Sequence, residues 1–450
     1  MSYQHALAQL TALGHELHHA PGHKFDLAHM RVLLSALGNP EGRFPSVLIA
    51  GTNGKGSTAA MLESILRAAG HRTGLYTSPH LIRVNERIRV AGEEVSDTDF
   101  ATVYVRVEKA AEKLVAAGAL PWHPSFFEML TAMAFEHFAA GVELAVLEVG
   151  MGGRLDATNV VEPRVSVITD IALDHQKFLG ATLTEIAREK AGIIRPGGVV
   201  VTLPQHPEAN DVLGNTILER GARAVSAVEY VPPVSPGFVL HSEPAAAGEE
   251  ALPSGSRYKL EVLGETITIA SPLPGRHQLR NTALAIAAAA ELNAQGFKVT
   301  AGDVERGIRE TRWPGRLQII PAAKGAPEFL LDAAHNPAGA WALRAALSER
   351  YEGRPFTLVF GAMRDKAIAE MAEILFPLAA HVIATQPANP RSASPEEIRA
   401  AAARSSADVL CEPAVAAALT RARSLATERG IVVICGSIYL IGEALQLLSS

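Results

Sequence analysis

Residues 51–58 read GTNGKGST. This stretch follows an apolar run at 46–50 and leads into a helical pattern over 57–69. The backbone N–H groups of a glycine-rich turn backed by a helix N-terminus form an anion site. Lys55 is placed to reach β- and γ-phosphates, and the Ser57 hydroxyl to ligate Mg²⁺. The spelling departs from the usual GxxxxGK[ST]. Gly51 stands only three residues before Gly54, and Gly56 follows Lys55. A merely structural corner would not need this set of side chains, so the loop is expected to bind a nucleotide phosphate.

Such a site needs acids at neighbouring strand ends. Glu148 closes the apolar run LAVLEV, where α/β sheets carry their ligands; its alternative is an acid facing solvent. Asp174 and His175 follow the run RVSVIT, at what should be the same sheet edge. His175 divides evenly between a second-metal role and an ordinary satisfied histidine. Lys190 sits beside Arg188 and Glu189, and spacing alone favours a solvated helix face. His15, His18 and His19 have metal-like helical spacing but no third fixed ligand, which favours a surface helix. Phe126, Phe127, Met129 and Met133 form an apolar stripe that reads as core.

These side chains must be positioned by a large fold. The chain has 450 residues, 20% charged and 48% hydrophobic, and this length predicts two domains. A net charge of −6 without a basic run argues against a nucleic-acid surface. Two cysteines, Cys411 and Cys435, suit a reducing cytosol and no disulfide framework. The N-terminus lacks a signal-peptide pattern, and the apolar stretch 282–292 is too short to span a bilayer. Neither membrane nor nucleic acid is an expected partner.

Apolar runs at 46–50, 144–149, 164–169 and 198–203 alternate with helical segments such as 126–141. This predicts an α/β fold with a mostly parallel sheet. Residues 231–275 change character, reading as a loop followed by a small antiparallel excursion at 257–269, and a helix at 277–295 returns to the main domain. TRWPGRL at 311–317 reads as a hinge. The strand–helix rhythm restarts at 328–332, 356–361, 381–385 and 431–435. The expected division is 1–311, a hinge at 312–317, and a smaller Rossmann-like α/β domain at 318–450.

AGTNGKGST, YTSPHLIRVNERI, EVGMGGRLDATN, LDHQKFLG, EKAGI, WPGRL, DAAHNP and GSIYL occur in this order. From about residue 22 to the C-terminus the chain resembles the folylpolyglutamate synthase/dihydrofolate synthase family, a branch of the Mur-ligase-type ATP-dependent amide ligases. The family spells its P-loop with the extra glycine. The resemblance implies that Asn53, Gly54, Lys55, Gly56, Ser57 and Thr58 hold ATP phosphates. It gives the first Mg²⁺ to Ser57 and Glu148 and the second to His175, with Ser78 close by, and it admits a monovalent cation. Lys190 matches the family's carbamylated lysine. Asn281, Arg316 and Asp332 fall at adenosine and inter-domain ATP positions, and His335 and Ser437 on the glutamate side.

The pteroate side would use Leu27, Ala28, His29 and Met30, then Pro124, Ser125, Phe126 and Phe127, then Leu155, Asp156 and Ala157. This chain departs from the family's usual Leu-Glu-Arg at the head of the first of these segments. The implied enzyme is a cytoplasmic monomer that joins L-glutamate to a pteroate or folate carboxylate through an acyl phosphate. The rivals are another Mur-type amino-acid ligase, for which the residues before Gly51 are too few to hold a UDP-sugar domain, and a P-loop switch.

Overall fold

The computed structural model describes residues 1–14, 26–233, 255–322, 326–405, 407–426 and 430–449. His15, His18 and His19, and most of the loop expected between 231 and 255, lie outside the described residues.

The first sheet has eight strands: β1 Ser46–Ala50, β2 Thr73–Tyr76, β3 Ile88–Val90, β4 Glu93–Glu94, β5 Leu144–Glu148, β6 Val165–Ile168, β7 Val199–Thr202 and β8 Arg223–Ser226. Their spatial order is β4-β3-β2-β5-β1-β6-β7-β8. Pairings from β2 to β8 are parallel, and β3 and β4 add an antiparallel edge. The strands at the middle of the order, SVLIA, LAVLE and VSVI, are buried at every position, as sheets covered on both faces require. One face packs against helices Leu27–Ala36, Asp97–Ala116 and Phe126–Phe138. The other packs against Lys55–Ala68, Arg276–Ala294 and Ala301–Glu310. Phe126 and Met129 do lie in the core, as their spacing predicts.

Helix Ala301–Glu310 crosses Lys55–Ala68 at Gly307, where an added Cβ would stand 2.4 Å from the Ile65 Cα. The backbone on both sides is helical, so neither partner can yield cheaply. Gly307→Ala is therefore expected to lose about 1–3 kcal/mol, the usual cost of overpacking, read as a lowered denaturant midpoint with unchanged slope.

The antiparallel excursion is present as a hairpin, β9 Ser256–Val262 with β10 Glu265–Ser271. Its two-residue turn has Leu263 at φ 51° and Gly264 at φ 81°, the positive pair that matches strand twist. A second sheet then contains β11 Gln318–Ile320, β12 Glu328–Leu331, β13 Phe356–Phe360, β14 His381–Ala384, β15 Val409–Cys411 and β16 Ile431–Cys435. The order is β11-β12-β16-β13-β14-β15, parallel except for β11. No helix among the described residues is long and apolar enough to cross a membrane.

The central position of β1 decides where a ligand can sit. Its chain neighbours in the sheet, β5 and β6, lie on opposite sides, and a crevice opens beyond the carboxyl ends where the order diverges. Gly51, Glu148 and Asp170 all leave the sheet there. The second sheet faces the same opening through the loops after β12 and β13.

Candidate active site

A cleft of about 670 Å³ lies between the two sheets' loops. Its floor is the glycine turn. The N–H groups of Thr52 and Asn53 donate to the Asp170 carbonyl at 2.8 and 3.1 Å, which fixes the turn to the end of β6. Asp170 is itself clamped by Arg280, whose Nε and Nη2 donate to its carboxylate at 2.6–3.1 Å. Gly54 has φ 90° and begins helix Lys55–Ala68 without a side-chain cap, so the first N–H groups of that helix stay available to an anion. A Cβ on Gly54 would stand 2.1 Å from the Asn281 Oδ1, which places Asn281 directly against the loop. Asn281 is held by Gln278, and Gln278 donates to the Ser57 Oγ at 3.3 Å.

Two lysines share the Gly51 carbonyl: Lys190 Nζ donates at 2.7 Å and Lys55 Nζ at 3.1 Å. Lys190 is 3% exposed, so the solvated helix face favoured by its spacing is corrected by the structure. Helix Leu183–Ala191 turns this side chain inward with Ile186 and Ala187, and sends Arg188 outward. Burial, and then the Lys55 charge, push the Lys190 pKa down to about 7.

Glu148 is 5% exposed at the end of β5 and accepts from the Ser78 N–H at 3.1 Å, so it does not face solvent. His175 lies in the left-handed region at φ 50° and lines the same cleft. Its Nδ1 is buried without a hydrogen-bond partner. Burial, and then the Lys366 charge, push its pKa down to about 3, so the ring is neutral at pH 7.

The neighbour, Asp174, joins the lobes. It accepts from the His175 N–H at 2.8 Å, from Lys366 Nζ at 2.6 Å and from Asn336 Nδ2 at 3.2 Å, and pairs with His335 Nε2 at 3.4 Å. Burial would raise its pKa, but His335, Lys366 and His175 hold the carboxyl well below the usual range. Asn336 also donates to the Asn53 Oδ1 at 2.9 Å, so the second lobe touches the glycine turn itself.

Arg316, Asp332, His335 and Ser437 line the cleft from the second lobe and the connection to it. Asp332 accepts from the N–H groups of Leu317 and Ala334, both at 2.9 Å, and so shapes the backbone as well as the wall. Ser437 caps helix Ile438–Leu448 and is 2% exposed. At the other end of the cleft stand Leu27, Met30, Ser125, Phe127, Leu155, Asp156 and Ala157. Asp156 turns to its own loop, accepting from the N–H groups of Met151 and Thr158 at 2.9 and 3.0 Å.

Five implied contacts do not line the cleft. The His29 ring lies 4.7 Å from that of Trp122, and Ala28 meets the Asp26 cap of its helix. The Pro124 carbonyl accepts from His123. Phe126 is buried beneath the Arg87 guanidinium. Thr58 is fully buried one residue past the opening. For the four that lie in helices the reason is geometry, since consecutive residues of a helix cannot all face one ligand.

Sequence reasoning missed Lys366, Asn336, Arg280 and Asp170. Asn336 stands inside the quoted segment DAAHNP, Arg280 directly precedes Asn281, and Asp170 directly follows an apolar strand. Lys366 follows β13 in FGAMRDK, and only its strand-end position could have singled it out.

Residues 125–289 match the Mur ligase middle domain, and residues 315–438 the Mur ligase glutamate ligase domain. The dihydrofolate synthase/folylpolyglutamate synthase of Bacillus subtilis is 34% identical over 426 residues, covering 94% of each chain. The folylpolyglutamate synthase of Mycobacterium tuberculosis, solved with ADP and AMPPCP, superposes with a TM-score of 0.87 at 32% identity, covering 100% of this chain and 99% of that one. Escherichia coli FolC, solved with DHPP and ADP, gives 0.83 at 29% identity, with 100% and 98% covered. With a glycine turn, a second lobe closing on it and this degree of kinship over nearly its whole length, the chain belongs to the folylpolyglutamate synthase/dihydrofolate synthase family of Mur-type, ATP-dependent ligases.

Proposed function

We propose that this ligase joins L-glutamate to the carboxylate of dihydropteroate, of folyl-(poly)glutamates, or of both. The carboxylate oxygen attacks the γ-phosphorus of ATP, giving an acyl phosphate and releasing ADP. The glutamate amine then attacks the acyl carbon, an amide forms, phosphate leaves and the amine loses its proton. One observation carries the reading: the phosphate turn, Glu148, Lys190 and His175 share a single cleft with His335, Lys366 and Ser437 of the other lobe.

In this scheme Lys55 and the N–H groups of residues 53–57 hold the phosphates, with Asn281, Arg316 and Asp332 on the nucleoside side. Leu27, Met30, Ser125, Phe127, Leu155 and Ala157 form the pteroate end. His335 and Ser437 take glutamate. Two lobes around one cleft position both reactants and keep the acyl phosphate from water. Lys190 is a buried amine with a pKa near neutrality, able to attack CO₂ and lose a proton to become a carbamate.

Magnesium suits the donors present. Ser57 Oγ and the Glu148 carboxylate are hard oxygen ligands, and the neutral His175 ring has one unpartnered buried nitrogen. Among the described residues no three His, Cys, Asp or Glu side chains come together as a metal site, so waters and phosphate oxygens would have to complete the coordination. We assign the first ion to Ser57 and Glu148 and the second to His175. When bound, magnesium neutralises charge on the phosphoryl group being transferred. We place the enzyme in the cytoplasm, as a monomer.

Phosphate release measured with ATP and either dihydropteroate or tetrahydrofolate, with and without L-glutamate, tests the reading. Release should require glutamate, and mass analysis should show a product one glutamyl unit heavier. Hydrolysis indifferent to both substrates would refute it.

A further inference from the structure

Trp313 begins the connection between the lobes, yet its ring rests on the phosphate turn. An added Cβ on Gly56 would stand 2.9 Å from Trp313 Cζ2 and 3.2 Å from Cε2 and Nε1. Gly56 lies between Lys55 and Ser57, in a helical conformation that any residue could adopt. The glycine there answers to the indole and not to backbone geometry. Trp313 is not among the residues that line the cleft, although Gly56 beneath it is. Its Nε1 is buried without a partner, and the Arg89 guanidinium lies over the ring, 5.9 Å from its centroid.

The chain then passes to the second lobe within a few residues. The Ala333 N–H donates to the Gly315 carbonyl at 3.0 Å, and Leu317 is fixed to Asp332. Gly315 lies at φ 72°, with Ile441 3.1 Å from where its Cβ would stand. From Gly315 onward the connection is hydrogen-bonded to the second lobe, while Trp313 packs against the first. Only Pro314 lies between.

We propose that the Trp313 ring, seated on Gly56, couples the phosphate turn to the second lobe, so that an occupied turn and a lobe set for glutamate favour each other. Trp313 is a positioning residue, acting through Gly56 and residues 314–317. Coupling of this kind is reciprocal by linkage. The idea rests on the ligase reading for its kinetic readout but not for its binding readout.

The test is a double-mutant cycle on Trp313→Ala and Gly56→Ala, with Trp313→Phe as the conservative variant. The kinetic readouts are kcat and the glutamate KM; the binding readout is ADP affinity by calorimetry. Trp313→Ala should raise the glutamate KM about tenfold or more while changing ADP affinity by less than about threefold. Trp313→Phe should stay within about threefold of the parent on both. Gly56→Ala drives a methyl into the ring and should weaken ADP binding, and adding Trp313→Ala should restore part of that loss. Strictly additive effects on ADP affinity would overturn the proposal, as would a Phe variant no better than Ala. If Trp313→Ala does not fold, the cycle is run with Trp313→Leu, and additivity there has the same meaning. A parent with no glutamate-dependent turnover would sink the ligase reading, whereas additive ADP affinities would sink only the coupling.

Discussion

Lys190→Ala should cut glutamate-dependent turnover about 100-fold while leaving the protein folded, the scale seen when a group that orders a metal site is removed. The buried amine donates to the Gly51 carbonyl at the start of the turn. Small carboxylates such as acetate or formate should restore part of the activity to Lys190→Ala, because they can occupy the volume of a carbamate. The parent enzyme carries a sign that follows from the pKa near 7. Only the unprotonated amine attacks CO₂, and that fraction is about 10% at pH 6 and about 90% at pH 8. Protein stripped of CO₂ should thus regain activity on addition of bicarbonate faster at pH 8 than at pH 6. Carbon-13 spectra with labelled bicarbonate showing no carbamate signal, together with activity indifferent to CO₂, would refute the assignment.

Asp174→Ala should be the most destabilising change in the cleft. Asp174 and Lys366 are each 7% exposed, and the substitution leaves a buried ammonium beside the His175 ring without the carboxylate it pairs with. Breaking one side of such a pair costs about 3–5 kcal/mol. Lys366→Met should cost less, because Asp174 keeps Asn336 and His335 as partners. Asp174→Ala combined with Lys366→Met should recover much of the loss. Urea midpoints read all three, and equal midpoints for both single variants would contradict the account. The pH sign is that of a depressed carboxyl pKa. Its contribution is complete above the ordinary carboxylate range, near pH 4, and fades only as pH falls through the lower folded value. Between pH 5 and 9 the Asp174 carboxyl itself should therefore stay ionised.

Much of the architecture was legible because burial on both faces writes itself as unbroken apolar runs. SVLIA, LAVLE, VSVI and IVVIC sit where those runs predict. Strands β2, β3, β4, β8, β11 and β15 were missed because each is only two to four residues long, and the edge pieces EE and RAVS carry no period distinct from a loop. The glycine turn was legible for a different reason, since its chemistry is local: eight consecutive residues supply the cradle, the cation and the hydroxyl. Motif order and the resemblance it carried supplied the family, and length the expectation of two lobes.

The tertiary structure alone decided how distant segments meet. Whether Lys190 faced solvent or the turn depended on how one helix packs against β6 and β7, and adjacent polar residues cannot express that. The Asp174–Lys366 pair joins positions 192 residues apart, and its strength comes from shared burial, a property neither residue has by itself. The same holds for Gly56 and Trp313. A glycine that looked like part of a phosphate signature is also a socket for an indole 257 positions away, because steric exclusion exists only where two segments are brought into contact.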